Sequence, residues 1–284
     1  MTARPLLLLA LLLAGAGGLW AAGPQAPARA AAVPQRIVSV NLCADQLVLA
    51  LADRSQIAGL TRNAADPEMS GEADAARGLP ILSQSAEQIL AIEPDLIVGM
   101  PASRSAALAA LPGRTYPLLD LDTANRLDQI YASIRQTAAA VGHRARGEAL
   151  VGQMERALAG LPKPGRGRVA AYYQRRGYMT GTGTLVDELM ARLGLVNLAA
   201  KLGKPPLSQV SLEEMVAAKP DFLIVEAATN QVTDQGSEML HHPALDGIPR
   251  ISVPQAWTVC GSPAYVDAAR SIAAQIARID GAAS

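Results

Sequence analysis

Residues 85–98 read S-A-E-Q-I-L-A-I-E-P-D-L-I-V, and residues 211–224 read S-L-E-E-M-V-A-A-K-P-D-F-L-I. At a constant offset of 126, five of the fourteen positions are identical, and most of the others exchange one apolar residue for another. Ser85 and Ser211 are placed to cap a helix, and Gln88 and Glu214, three residues on, complete a capping box. Each short helix ends near Pro94 or Pro220, because the residue before a proline is pushed out of the helical region. Unbroken apolar runs follow, Leu96-Ile97-Val98 and Phe222-Leu223-Ile224-Val225. Such runs suit strands buried on both faces, as in parallel sheets. Two copies half a chain apart predict an α/β protein with two similar lobes, each built on a mainly parallel sheet.

The flanks of the first copy extend that reading over residues 34–125. Strands are expected at Arg36–Val40 and Ile57–Leu60, with a helix through Leu47, Val48 and Leu51 between them. A polar stretch with Asp66-Pro67 and Gly71 leads into the repeat. A small helix (Ser103–Leu111) and a strand (Thr115–Leu121) close a β-α-β-α series of parallel type. Residues 126–161 are the helical connection. Leu127, Ile130, Tyr131, Ile134, Ala138 and Val141 form one apolar face, and Gly142 divides the region. The piece from Arg144 to Leu161 would be about 27 Å long, enough to bridge two lobes. The second lobe, residues 165–284, has strands at Arg168–Tyr173 and Ile251–Val253, helices at Leu185–Leu193 and Ser237–Leu240, and a last helix at Tyr265–Ile279.

Twenty-five basic and twenty-five acidic residues cancel, so there is no basic field for nucleic acid. Arg4, the apolar Leu6–Ala14 and the alanine-rich stretch after them read as a signal peptide within residues 1–30, cut after Ala22 or Ala30. The h-region is too short to span a bilayer, which predicts a soluble protein exported to an oxidising compartment. In that compartment the two cysteines, Cys43 and Cys260, are expected to pair.

Glu87 and Glu213 sit in the first turn of their helices, where the helix dipole favours an acid. Their matched positions in two lobes would also let them dock a two-fold symmetric partner through arginines. At this point the chain resembles the periplasmic solute-binding proteins of ABC importers for cobalamin, haem and ferric siderophores. The resemblance is carried by Arg36-Ile37-Val38-Ser39, both E-x-(I/M)-(L/V)-A-x-x-P-D segments and the linking helical region, over about residues 34–280. It implies two α/β lobes joined by one long rigid helix, with ligand held between them. It also implies a monomer with no cofactor of its own, whose Glu87 and Glu213 pair with arginines of the permease subunits. The bound ligand would be a metal chelate: a ferric siderophore, haem or cobalamin.

Ligands of open α/β sheets bind beyond the carboxyl ends of strands. Those ends offer Asn41, Cys43, Arg62, Asn63, Met100, Arg104, Tyr173, Arg175, Arg176, Tyr178, Trp257 and Cys260. Arginines and aromatics suit a large ligand with anionic or π-rich groups. The chain departs from the cobalamin-binding members at Leu207, where they carry a tryptophan; Trp257 falls where they have another. The resemblance puts Cys43 and Cys260 at cleft-facing strand ends of opposite lobes. Three readings of the pair stay open: a disulfide, a soft-metal site, or redox chemistry without a C-x-x-C. The last two define the alternative, an exported metal- or redox-handling protein. A zinc or manganese site is not expected from His143, His241 and His242 alone. With no G-x-S-x-G, H-E-x-x-H or Walker loop, the chain is not expected to be an enzyme. Gly181-Thr182-Gly183 before a helix could hold an anion or permit a tight turn.

Overall fold

The computed structural model describes residues 32–83, 85–111 and 116–282. The leader read in residues 1–30, and Thr115 at the start of one expected strand, lie outside them. The first lobe runs β1 (Ile37–Ser39), α1 (Leu42–Leu51), β2 (Ile57–Thr61), β3 (Ile81–Leu82), α2 (Ala86–Ile92), β4 (Leu96–Gly99), α3 (Ala106–Ala109) and β5 (Leu118–Asp120). Its sheet is wholly parallel, in the order β3-β2-β1-β4-β5. Strand order reverses between β1 and β4, so the carboxyl ends of these two strands flank a switch-point crevice. Successive residues face opposite ways. Ile37, Leu96 and Val98 enter one core, whereas Val38 and Ile97 enter another beneath α2 and α3.

Gly142, at φ 87°, splits the helical connection into α4 (Leu127–Ala140) and α5 (Arg144–Ala159). These are not one continuous rod. They pack back to back as a hairpin: a Cβ on Gly147 would stand 2.5 Å from that of Ala138, and Arg135 pairs with Glu148 at 2.9 Å. The predicted stripe of α4 is buried, with Ile130, Ile134, Ala138 and Val141 all at 0 % exposure. At 1.5 Å per residue α5 is about 24 Å long. One hydrophobic core runs from α1 through α4 and α5 to the last helix and into the second lobe.

That lobe runs β6 (Val169–Tyr173), β7 (Tyr178–Thr180), α6 (Leu185–Arg192), β8 (Val196–Asn197), α7 (Leu198–Lys201), β9 (Leu207–Gln209), α8 (Leu212–Ala218), β10 (Phe222–Glu226), α9 (Gln235–Glu238), β11 (Arg250–Val253) and α10 (Tyr265–Ala282). The order is β11-β10-β6-β7-β9, with β8 also paired to β6. Its β11-β10-β6 part is parallel, but β7 and β9 join antiparallel. Residues 174–183, which follow the strand expected at Arg168–Tyr173, are thus partly a strand themselves, β7. Three residues with a sharp turn before them carry too little alternation to announce one.

The two copies of the repeat fold alike in detail. Ser85 accepts from the Gln88 amide and Ser211 from the Glu214 amide. The reciprocal half of each capping box is absent. Gln88 instead accepts from Ser83, and Glu214 pairs with Lys204 at 2.8 Å. Glu93 and Lys219, each just before the proline, leave the helix in the left-handed region at φ 48° and 46°. The aspartate after each proline then holds the start of the neighbouring strand: Asp95 accepts from the Gln35 and Arg36 amides, and Asp221 from the Val169 amide. In this way the helix-to-strand unit sets the register of β1 against β4 and of β6 against β10.

Candidate functional site between the lobes

A cavity of about 210 Å³ lies between the lobes at the carboxyl ends of the strands. From the first lobe it is walled by Cys43, Met100 and residues 123–125. From the second it is walled by Tyr172, Gln174, Thr180, Glu226 and the segment around Thr258. Gln174 follows β6 and Glu226 ends β10, and they form a polar chain. Thr180 donates its hydroxyl to the Gln174 carbonyl at 3.1 Å, and the Gln174 amide donates to Glu226 at 3.0 Å. Beside them the Tyr172 hydroxyl meets Thr258 at 3.0 Å. Burial, against a smaller opposing effect of that contact, pushes the Tyr172 phenol well above its usual range.

The Cys43 and Cys260 sulfurs are bonded, with Cα atoms 5.3 Å apart, and form part of the cavity wall. The next residue, Gly261, lies so close to α4 that a Cβ there would stand 2.5 Å from the Ala124 Cβ and 3.2 Å from Ile130. The disulfide therefore ties the lobes at the side of the linking helices. In this state neither sulfur is a thiolate, so the soft-metal and thiol-redox readings have no free group to act through. Among the described residues, no cluster of three or more His, Cys, Asp or Glu is arranged to hold a metal ion.

Of the ligand residues expected from the sequence, Cys43, Met100 and Cys260 line the cavity, and the others do not. Tyr173 is a correction. It is fully buried on the far face of β6, and its hydroxyl donates to the Val210 carbonyl at 3.0 Å. Side chains alternate along a strand, so its neighbour Tyr172 faces the cavity instead. The Asn41 carboxamide is occupied as the cap of α1, accepting from the Ala44 amide, and donates to the Pro101 carbonyl. Arg62, Asn63 and Arg104 lie on the short helical turns after β2 and β4, with both arginines exposed. Arg175 is ion-paired with Asp234. Arg176, in the left-handed region, and Tyr178 are exposed. Trp257 is half-buried against the continuous core. The cationic cleft implied by the sequence is not assembled around this cavity.

Sequence reasoning passed over Glu226 and Gln174. A signal was available for Glu226, which stands at the constant offset of 126 from Met100 and so ends the strand of the second repeat as Met100 follows the strand of the first.

Glu87 and Glu213 are exposed in the first turns of α2 and α8. Their own backbone amides, aided by the Ser85 and Ser211 hydroxyls, hold both carboxyls below the usual range. Both stay ionised at neutral pH. The start of α6 gives no anion site. Thr184 caps it, and the Gly183 amide already donates to Asp187 at 3.0 Å. Gly181 serves close packing, since a Cβ there would fall 2.2 Å from the Pro205 carbonyl oxygen.

Residues 37–251 match the family described as periplasmic binding protein. The chain belongs to that family. Its relatives include the vitamin B12-binding protein of Pectobacterium carotovorum subsp. carotovorum (strain PC1), 24% identical over 265 residues, which span 90% of this chain and 94% of that one. Among solved structures, the periplasmic heme-binding protein RhuT from Roseiflexus sp. RS-1, in apo form, is 25% identical with a TM-score of 0.68, covering 85% of this chain and 97% of its own. The periplasmic vitamin B12 binding protein BtuF of Vibrio cholerae has the same fold at 18% identity, with a TM-score of 0.63 over 86% of this chain and 97% of its own. A periplasmic binding protein thus has its two-lobe fold here, with the cavity at the switch points of both sheets. No helix among the described residues is long and apolar enough to cross a membrane.

Proposed function

We propose that this protein captures a metal chelate (a corrinoid, haem or a ferric siderophore) in the periplasm and delivers it to the permease of an ABC importer. Residues 1–30 act as the export signal, and the mature chain works as a monomer without chemistry of its own. The observation that carries this reading is the pairing of an interlobe cavity with two ionised glutamates at matched helix starts, one on each lobe. The cavity supplies the ligand site. Glu87 and Glu213 supply two anchors for arginines of a two-subunit permease, giving orientation and partner choice. At about 210 Å³ the cavity is smaller than the roughly 300–1,000 Å³ usual for ligand pockets, so a chelate would seat only part of its surface between the disulfide-tied lobes.

Two measurements test the reading. A ligand present at a hundred times its Kd adds about 2.7 kcal/mol to stability, so one of cobalamin, haemin or a ferric chelate should raise the melting temperature. No stabilisation by any of them overturns the transport reading. Charge reversal at both sites, Glu87→Lys with Glu213→Lys, should abolish association with the permease while ligand affinity is unchanged. Retained association would overturn the docking role alone.

A further inference from the structure

Among the described residues lining the interlobe cavity there is no arginine, lysine or histidine, and Glu226 is the carboxylate. Glu226 is 6 % exposed. Its side chain has a single hydrogen-bond partner among the described residues, the Gln174 amide on Oε1. Gln174 is held in that orientation because its carbonyl accepts from Thr180. The second carboxylate oxygen is left for whatever occupies the cavity.

A buried carboxylate is costly unless several donors or a positive charge satisfy it. One amide donor leaves that demand half met, and no cationic side chain of the wall meets the rest. A group in the cavity that donates hydrogen bonds, or carries positive charge, would complete the set. A carboxylate or catecholate brought to the same place would meet like charge in a poorly screened site and find no guanidinium to hold it.

Resting on the proposal that the cleft holds a metal chelate, we infer that Glu226, oriented by Gln174, is the residue that selects the class of chelate. The cavity takes a neutral or cationic chelate that presents amide or ammonium donors to Glu226. It turns away one that must bury carboxylates or phenolates, such as a propionate-bearing tetrapyrrole. The arginines flanking the cleft do not reverse this preference, since Arg175 is paired with Asp234 and neither Arg62 nor Arg104 reaches the cavity wall.

The test is calorimetric titration of the mature protein and its Glu226→Gln variant with four probes: cyanocobalamin, ferrioxamine B, haemin and a ferric tris-catecholate. Gln is isosteric, and a thermal melt of the variant checks its fold. Wild type should bind an amide- or ammonium-bearing probe more tightly than either anionic one. Because a hydrogen bond to a charged group is lost, Glu226→Gln should weaken that binding by roughly ten- to a hundredfold and strengthen binding of the anionic probes. A purely structural role for Glu226 would weaken all four together and would overturn the inference. Tighter binding of haemin or the catecholate to wild type would also overturn it, while leaving the transport reading intact. Binding of none of the four by wild type overturns both.

Discussion

Replacing Cys43 and Cys260 by serine should lower the melting temperature markedly and leave the fold in place. The bond joins residues 217 apart in sequence. For a closed loop of that size the chain-entropy relation gives about 5 kcal/mol at 25 °C, with measured disulfides commonly falling nearer 2–4 kcal/mol. On the folded side little else changes. Gly261 still rests on Ala124 and Ile130, and the core running from α1 through α4 and α5 to α10 holds the lobes together without help. An expected loss of about 3–5 kcal/mol corresponds, at roughly 2–4 °C per kcal/mol for a chain of this size, to a fall of about 6–20 °C. The assay is calorimetric or circular-dichroism melting of wild type and the double variant, each with and without reductant. Reduced wild type should melt with the double variant, and the variant should ignore reductant. A wild type proved fully reduced by thiol alkylation and mass, yet melting with the oxidised protein, would refute the reasoning. It would mean that the unfolded chain gains no freedom when the covalent loop closed by Cys43 and Cys260 is cut.

Asp45 is fully buried and accepts from both the amide and the hydroxyl of Thr61. Burial outweighs those bonds and pushes its pKa from 3.8 up to about 6. The folded protein therefore holds this proton more tightly than the unfolded chain does. Stability from this group is greatest below about pH 4 and declines as pH rises through 6, by about 3 kcal/mol for a shift of some two units. Asp45→Asn should flatten that part of the profile in urea melts taken from pH 4 to 7, and an unchanged slope would show that Asp45 does not titrate there. Gly181→Ala must push a Cβ against the Pro205 carbonyl 2.2 Å away, displacing β9 from β7 at roughly 1–3 kcal/mol. Gly183→Ala, at φ 74° but in open space, should cost only about 1 kcal/mol. Equal losses in denaturant titrations would contradict the close-packing role of Gly181.

The repeat was legible because its signals are local. A serine before a helix, a proline after it and an apolar run behind them constrain the chain within a dozen residues, whatever surrounds them. The buried stripe of α4 was legible for the same reason, since its spacing encodes which face is covered. The short strands β7, β8 and β9 were not, because strands of two or three residues exist only through partners supplied by β6 and by one another.

For the site, the contrast falls between neighbours. That a tyrosine at the end of β6 would face the cleft was readable; that it is Tyr172 and not Tyr173 depends on which face of β6 the core covers, a phase that pairing with β10 decides. Charge behaved likewise. Arginines near strand ends are visible in sequence, but Arg175 turns to Asp234 while Glu226 is carried into the cavity at the end of β10. What the sequence by itself determined was two lobes of one repeated unit, an exposed acid at the start of each, and two cysteines able to pair. Only the tertiary structure decided that the cavity is acidic, because the sign of its charge depends on which side chains converge across 217 residues of chain, and no local pattern encodes that convergence.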